Sequence, residues 1–150
     1  MLGTLGGMAD TAEELGILVK RLQHRHHRAL TAALADLGVS LVQWDTLRHL
    51  HRQPEASLHD LAQLTYQTDQ SFGTLAARMA DRGLIERVPA PGRAVRHRLT
   101  SKGEQLRAAG EERVREVVSR SFAALTDAQQ EQLGGLLRQV LAAGGDRKAW

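Results

Sequence analysis

Residues 57–103 read SLHDLAQLTYQTDQSFGTLAARMADRGLIERVPAPGRAVRHRLTSKG, and this stretch decides the fold. Two short amphipathic segments come first, with a polar turn between them. An extended segment at 84–88 follows, then a loop carrying Pro89, Pro91, Gly92 and Arg93, then a second extended segment at 95–99. The two are short and close enough to pair as an antiparallel ribbon. Helix, turn, helix and ribbon in this order make a helix-turn-helix with a β-wing behind it. In such a unit the first helix supports, the second enters a groove of DNA, and the wing brings basic side chains to the backbone.

The boundaries follow from local capping chemistry. Ser57 with Asp60 forms a capping box for the supporting helix. Thr68 caps the second helix, Phe72, Leu75, Ala76 and Met79 form its apolar stripe, and Gly83 stops it. Its opposite side carries Asp69, Gln70, Gly73, Thr74 and Ala77, with Ser71 and Arg78 at the margins. Thr100 and Ser101 followed by Glu104 open another helix, running to about residue 124.

Outside this unit the chain reads as amphipathic helix. A long helix is expected over 11–37, with Leu15, Leu18, Val19, Leu22, Leu30 and Leu34 at three- and four-residue spacing, and Gly38 suits its end. Ser40 caps a helix bearing Leu41, Trp44, Leu47 and Leu50; Thr126 with Gln129 caps a last one bearing Leu133, Leu136, Leu137, Val140 and Leu141. The fold class is therefore mainly α with a small β-wing: a winged lobe at 40–99 and helical dimerisation arms at 11–37 and 104–143. Arms of that length cannot bury their stripes on so small a lobe. A two-fold dimer buries them and sets two reading helices one turn of DNA apart.

Composition narrows the function classes. The net charge of +3 says little, but Arg78, Arg82, Arg87, Arg93, Arg96, Arg98 and Lys102 face only Asp81 and Glu86 between residues 78 and 102. Such clustering fits a polyanionic partner. The absence of cysteine removes disulfides, thiolate metal sites and thiol redox sensing. There is no membrane-spanning apolar run and no secretory signal pattern, so a cytoplasmic location is expected. The chain has no Gly-rich phosphate loop, HExxH or Gly-x-Ser-x-Gly pattern, and no enzymatic activity or cofactor is expected. His24, His26 and His27 cluster on the first helix, with His49, His51 and His59 further on. Histidine suits zinc, but the first cluster has no HxxxH pair and no carboxylate within a few residues, so surface imidazoles or the polar lining of a cleft are expected rather than a metal site.

The segments SLHDLAQLT, LAARMADRGLIER and GRAVRHRLTSKG resemble the support helix, the recognition helix with its first strand, and the wing with its following Leu-Thr-x-x-Gly in the MarR family of bacterial regulators. The likeness runs from about residue 14 to 141. It implies a homodimeric transcriptional regulator, typically a repressor, on a palindromic operator in double-stranded DNA. Many members of that family release DNA when a small aromatic or lipophilic effector fills a cleft between arms and lobe. The resemblance makes Arg93 the wing-tip arginine of the minor groove. The chain departs from the pattern at Pro91, where the family usually has an acidic residue, and at Gly73, where many relatives carry a polar side chain.

Candidate DNA-contacting residues follow from their chemistry. The Gln70 amide matches adenine N6 and N7, and Thr74 suits a thymine methyl. Ser71 and Arg78 suit phosphates. Arg96 and Arg98 share one face of the second strand, with His97 on the other; they reach DNA, or one of them pairs with Glu86 across the ribbon. Asp69 runs counter to this, since its charge opposes phosphate. His26, Leu30, Trp44, Leu47, Tyr66 and Phe72 are candidates to border an effector cleft, although Trp44 serves equally as a core anchor. The alternatives are a constitutive or low-specificity DNA-binding protein and a structural helical dimer.

Overall fold

Six helices and one two-stranded ribbon make up the computed structural model, which describes residues 11–89, 92 and 94–145. Helix α1 spans Ala12–Leu34 and tightens into a 3-10 turn at Ala35–Leu37. It is followed by α2 at Leu41–Arg52, α3 at Leu58–Leu64 and α4 at Asp69–Asp81. Strands β1 (Ile85–Val88) and β2 (Arg96–Leu99) pair antiparallel, with Ile85 opposite Leu99 and Val88 opposite Arg96. Helices α5 (Ser101–Phe122) and α6 (Asp127–Ala143) complete the chain.

Local chemistry accounts for the starts and stops. Four helices open on a reciprocal capping box: Thr11 with Glu14, Ser40 with Gln43, Ser57 with Asp60, and Thr126 with Gln129. Thr68 caps α4 by accepting the Ser71 N–H at 3.1 Å. The first long helix differs from its expected span, because its last turn before Gly38 is 3-10 and Gly38 turns at φ +73°. At α5 the cap is Thr100, which accepts the Gly103 N–H at 3.0 Å. Glu104 does not close the expected box and instead holds Arg107.

That start also explains the Leu-Thr-x-x-Gly pattern. Leu84 O accepts the N–H and the hydroxyl of Thr100, at 3.2 and 3.1 Å. A side chain on Gly103 would place its Cβ 2.0 Å from this oxygen. Glycine at 103 therefore lets the first turn of α5 lie directly on the end of the recognition unit.

Phe72, Leu47, Leu61, Met79, Leu84 and Ile85 fill the core of the lobe, each at most 2% exposed. Helix α5 crosses behind the lobe, packing on α2 and, further along, on α1. Two features position the reading unit. Ser57 bridges Arg96 and Leu58 N–H donates to Val95 O at 2.9 Å, so the root of the wing is tied to the start of α3. Tyr66 turns the chain between α3 and α4 at φ +57°, a left-handed conformation for a residue with no turn signature in the sequence.

Candidate nucleic-acid interface

Helix α4 is two-faced. Phe72, Ala76 and Met79 are buried against the lobe, whereas Asp69, Gln70, Ser71, Thr74, Ala77 and Arg78 face solvent. The Thr74 hydroxyl donates to the Gln70 carbonyl at 3.2 Å. No side chain would obstruct a methyl group on Gly73, so intramolecular packing does not call for glycine there. The helix thus presents four polar candidates, Gln70, Ser71, Thr74 and Arg78, on one uninterrupted solvent-facing surface.

The wing divides its cations. Arg98 Nε donates to Glu86 Oε1 at 2.7 Å, straight across the register pair Glu86–Arg98. Arg96 is half-buried and paired with Glu55, in the loop before α3, and its Nε is buried without a partner. The structure therefore places both strand arginines in ion pairs. Among the described residues the wing cation without an ion pair is Arg87, exposed on β1, which was absent from the candidate set; its place in the basic run was the signal for it. Arg93 lies outside the described residues. His97 is buried behind the ribbon, as its parity on the strand requires. Burial, and then the Arg87 guanidinium, hold its imidazole below the usual range.

A further pair links the two helices of the reading unit. His59 Nδ1 on α3 meets both carboxylate oxygens of Asp69, the first residue of α4, at 2.8 and 3.0 Å.

The cleft candidates differ in burial. Leu47 and Phe72 are sealed in the core and Tyr66 is 82% exposed at the turn. Trp44 belongs to the same buried core, whereas His26 and Leu30 are half-buried on the arm helix α1. His26 Nε2 and Ser121 Oγ share a hydrogen bond of 2.6 Å, and Arg25 donates to the same oxygen at 3.2 Å. The His26 ring meets Phe122 edge-on, with centroids 5.3 Å apart. Burial, and then Arg25, lower its pKa. Trp44 is buried and donates its indole N–H to Arg107 O at 3.1 Å. Arg107 is 9% exposed, and its guanidinium is held between Glu104 and Glu111 at 2.7 and 2.8 Å. Glu104, which also meets His51 at 3.2 Å, is held below the usual carboxylate range chiefly by its hydrogen bond from Arg107. Among the described residues no group of three or more His, Asp or Glu stands where it could hold a metal ion.

A family model described as "MarR family" matches residues 37–94. The HTH-type transcriptional repressor Rv2887 of Mycobacterium tuberculosis is 33% identical over 137 residues, covering 89% of this chain and 97% of the relative. The HTH-type transcriptional repressor IacR of Pseudomonas putida is 27% identical over 122 residues, covering 80% and 73%. The crystal structure of Rv2887 with salicylic acid matches this fold with a TM-score of 0.71 at 32% identity, covering 89% of this chain and 99% of that one. Rv2887 in complex with DNA matches with a TM-score of 0.71 at 30% identity, covering 87% and 98%.

Proposed function

The chain belongs to the MarR family of DNA-binding transcriptional regulators, and from that premise we propose that it acts as a homodimeric repressor released from a palindromic operator by a small aromatic or lipophilic compound. The observation that carries the dimer is apolar surface that one chain leaves uncovered. Leu15, Ile17, Leu18 and Val19 on α1, and Leu136, Leu137 and Val140 on α6, are each at least 42% exposed, and no residue of α6 is buried. These stripes belong to the arms and not to the lobe, so a second copy covers them without obscuring α4. Two-fold pairing sets the two α4 helices to read adjacent turns of the major groove, roughly 34 Å apart.

Within each half-site, Gln70 and Thr74 are the proposed base readers, Ser71 and Arg78 hold phosphates, and Arg93 enters the minor groove. Arg96 and Arg98 join them only by exchanging their carboxylates for phosphate. Such an effector is suggested by the relative solved with salicylic acid and with p-aminosalicylic acid, with His26, Leu30 and Trp44 as its candidate contacts. A ligand there shifts DNA binding only through unequal affinity for two arrangements of arms and lobe. The site of action is the cytoplasm; among the described residues no helix is long and apolar enough to cross a membrane.

Selection of bound fragments from genomic DNA, read beside sedimentation at low micromolar concentration, tests the proposal. The expected results are an inverted repeat and a species near twice the 16.5 kDa chain. Fragments without shared sequence, or a monomer that binds them tightly, refute it. Titration with salicylate then tests release: undiminished affinity across a panel of phenolic and lipophilic compounds leaves a constitutive repressor.

A further inference from the structure

Asp69 is the residue that the operator reading leaves without a part. A carboxylate at the first position of a reading helix repels the backbone it approaches, yet this one is not idle. Both of its oxygens lie within hydrogen-bond distance of His59 Nδ1, and the two side chains are each 61% exposed on the surface that carries Gln70 and Ser71. The other carboxylate near the imidazole, Asp60, is already engaged by the Ser57 N–H at 2.9 Å. Arg96 of β2 faces Asp60 and is paired with Glu55. Asp69 therefore acts on His59 without a competitor among these groups.

We propose that Asp69 and His59 form a relay to DNA, in which the carboxylate holds the ring through Nδ1 and the opposite nitrogen, Nε2, donates to a backbone phosphate. Nε2 has no hydrogen-bond partner among the described residues. An imidazole that donates from both nitrogens is an imidazolium. The carboxylate on one side and the phosphate on the other are both acceptors suited to such a double donor. The support helix, which crosses the backbone in a helix-turn-helix, is where such a contact belongs. The charge of Asp69 thereby aids binding through its neighbour instead of opposing it. This inference rests on α4 being the reading helix.

The relay makes an unusual demand: deleting a negative charge beside DNA must weaken binding. Anisotropy titrations would compare the parent, His59→Gln, Asp69→Asn and Arg78→Ala on two duplexes, one recovered by genomic selection and one of random sequence and equal length. Asp69→Asn and His59→Gln should each lower affinity for both duplexes by about tenfold, as the loss of a charge-assisted hydrogen bond does. The salt dependence should fall by about one phosphate contact per subunit. Asp69→Asn should add little on the His59→Gln background. Replacing the contacted phosphate by a neutral methylphosphonate should weaken binding of the parent and leave that of either variant unchanged, a readout that a merely structural pair would not move. Tighter binding by Asp69→Asn, as simple charge repulsion requires, overturns the relay, and so does unchanged affinity of His59→Gln. Arg78→Ala separates the failures: if it alone weakens binding, the relay is wrong and α4 still reads DNA; if none of the three does, the reading of α4 falls with it. Both side chains are exposed, and unfolding midpoints of the variants check that the fold is retained.

Discussion

Gly110→Ala should be among the most damaging single-methyl substitutions in this chain. The residue lies in the middle of α5, where propensity alone favours alanine by about 1 kcal/mol. A Cβ at this position would stand 2.3 Å from Trp44 Cδ1, 2.5 Å from its Nε1 and 3.2 Å from Leu34 Cδ2. Carbon atoms in contact sit about 3.5–4.0 Å apart, so the indole must retreat by roughly an ångström or more. It has nowhere to go, because Trp44 is buried in the lobe and tethered to Arg107 O. Overpacking of this kind costs about 1–3 kcal/mol. Losing the indole hydrogen bond inside the core costs about 1–3 kcal/mol more. After the helix gain, the expected net destabilisation is about 3 kcal/mol, or about 10 °C in midpoint for a chain of this size. Thermal unfolding followed by far-UV circular dichroism, at matched protein concentration, measures it. Trp44→Leu should be costly alone, and Gly110→Ala should cost nothing in that background, a non-additivity of about 3 kcal/mol. A Gly110→Ala protein that unfolds at the parental midpoint would refute the claim that the indole is locked against α5.

Gly73 supplies the opposite case: with open space around it, Gly73→Ala should stabilise the fold by about 1 kcal/mol. If DNA backbone packs on that bare turn of α4, the same variant should bind the selected duplex less tightly, as anisotropy will show. His97 should make stability fall in acid. Its pKa in the folded state is lowered by burial and by Arg87, so the unfolded chain takes up the proton first. The stabilisation is present above the ordinary imidazole value of about 6.5 and is lost as pH falls below it. Unfolding midpoints at pH 7.5 and 5.5 should differ by less in His97→Phe than in the parent. Arg93→Ala should reduce operator affinity at least about tenfold, most on sites with A·T-rich flanks, and Arg93→Lys should recover only part of it. Equal affinities for Arg93→Ala and the parent at low and moderate salt would leave the wing tip in solvent.

Capping was the most legible layer of this fold, since it links residues three apart. Ser57 with Asp60, Thr68, and Thr126 with Gln129 could be read directly, and each caps as expected. Strand parity was legible for the same reason, placing His97 inside and allowing the Glu86–Arg98 pair. Arg96 was not, because its partner Glu55 sits in a loop brought alongside only by the Ser57–Arg96 bridge. The need for Gly103 was equally hidden, since the oxygen that excludes a side chain belongs to Leu84. Tyr66 carries no turn signal, and only the path of the chain puts it at positive φ. Cleft and core are indistinguishable in the sequence because apolar spacing records burial alone. Leu47 and Phe72 share the periodicity of cleft-lining residues and lie wholly inside the core.

One helix serves both halves of the proposed mechanism. The first half of α5 is committed to the lobe: Gly103 lies on Leu84 O, the Arg107 carbonyl takes the Trp44 indole, and Gly110 seats its ring. The second half belongs to the arm, where Arg113 is bound to Ala33 O and Asp36, and Ser121 to His26 and Arg25. No loop or hinge glycine with a positive φ interrupts α5 between these halves. A compound that wedges α1 away from α5 near His26 therefore acts on a continuous rod whose other end carries the recognition unit. Because Trp44 packs against α5 at Gly110, the proposed effector is expected to move rod and lobe together and so to change the distance between the two reading helices of the proposed dimer. This is also why softening that contact, as Trp44→Leu does, should reduce the effector's influence on DNA binding, and release of DNA by this variant to the parental extent at saturating ligand would refute the rod.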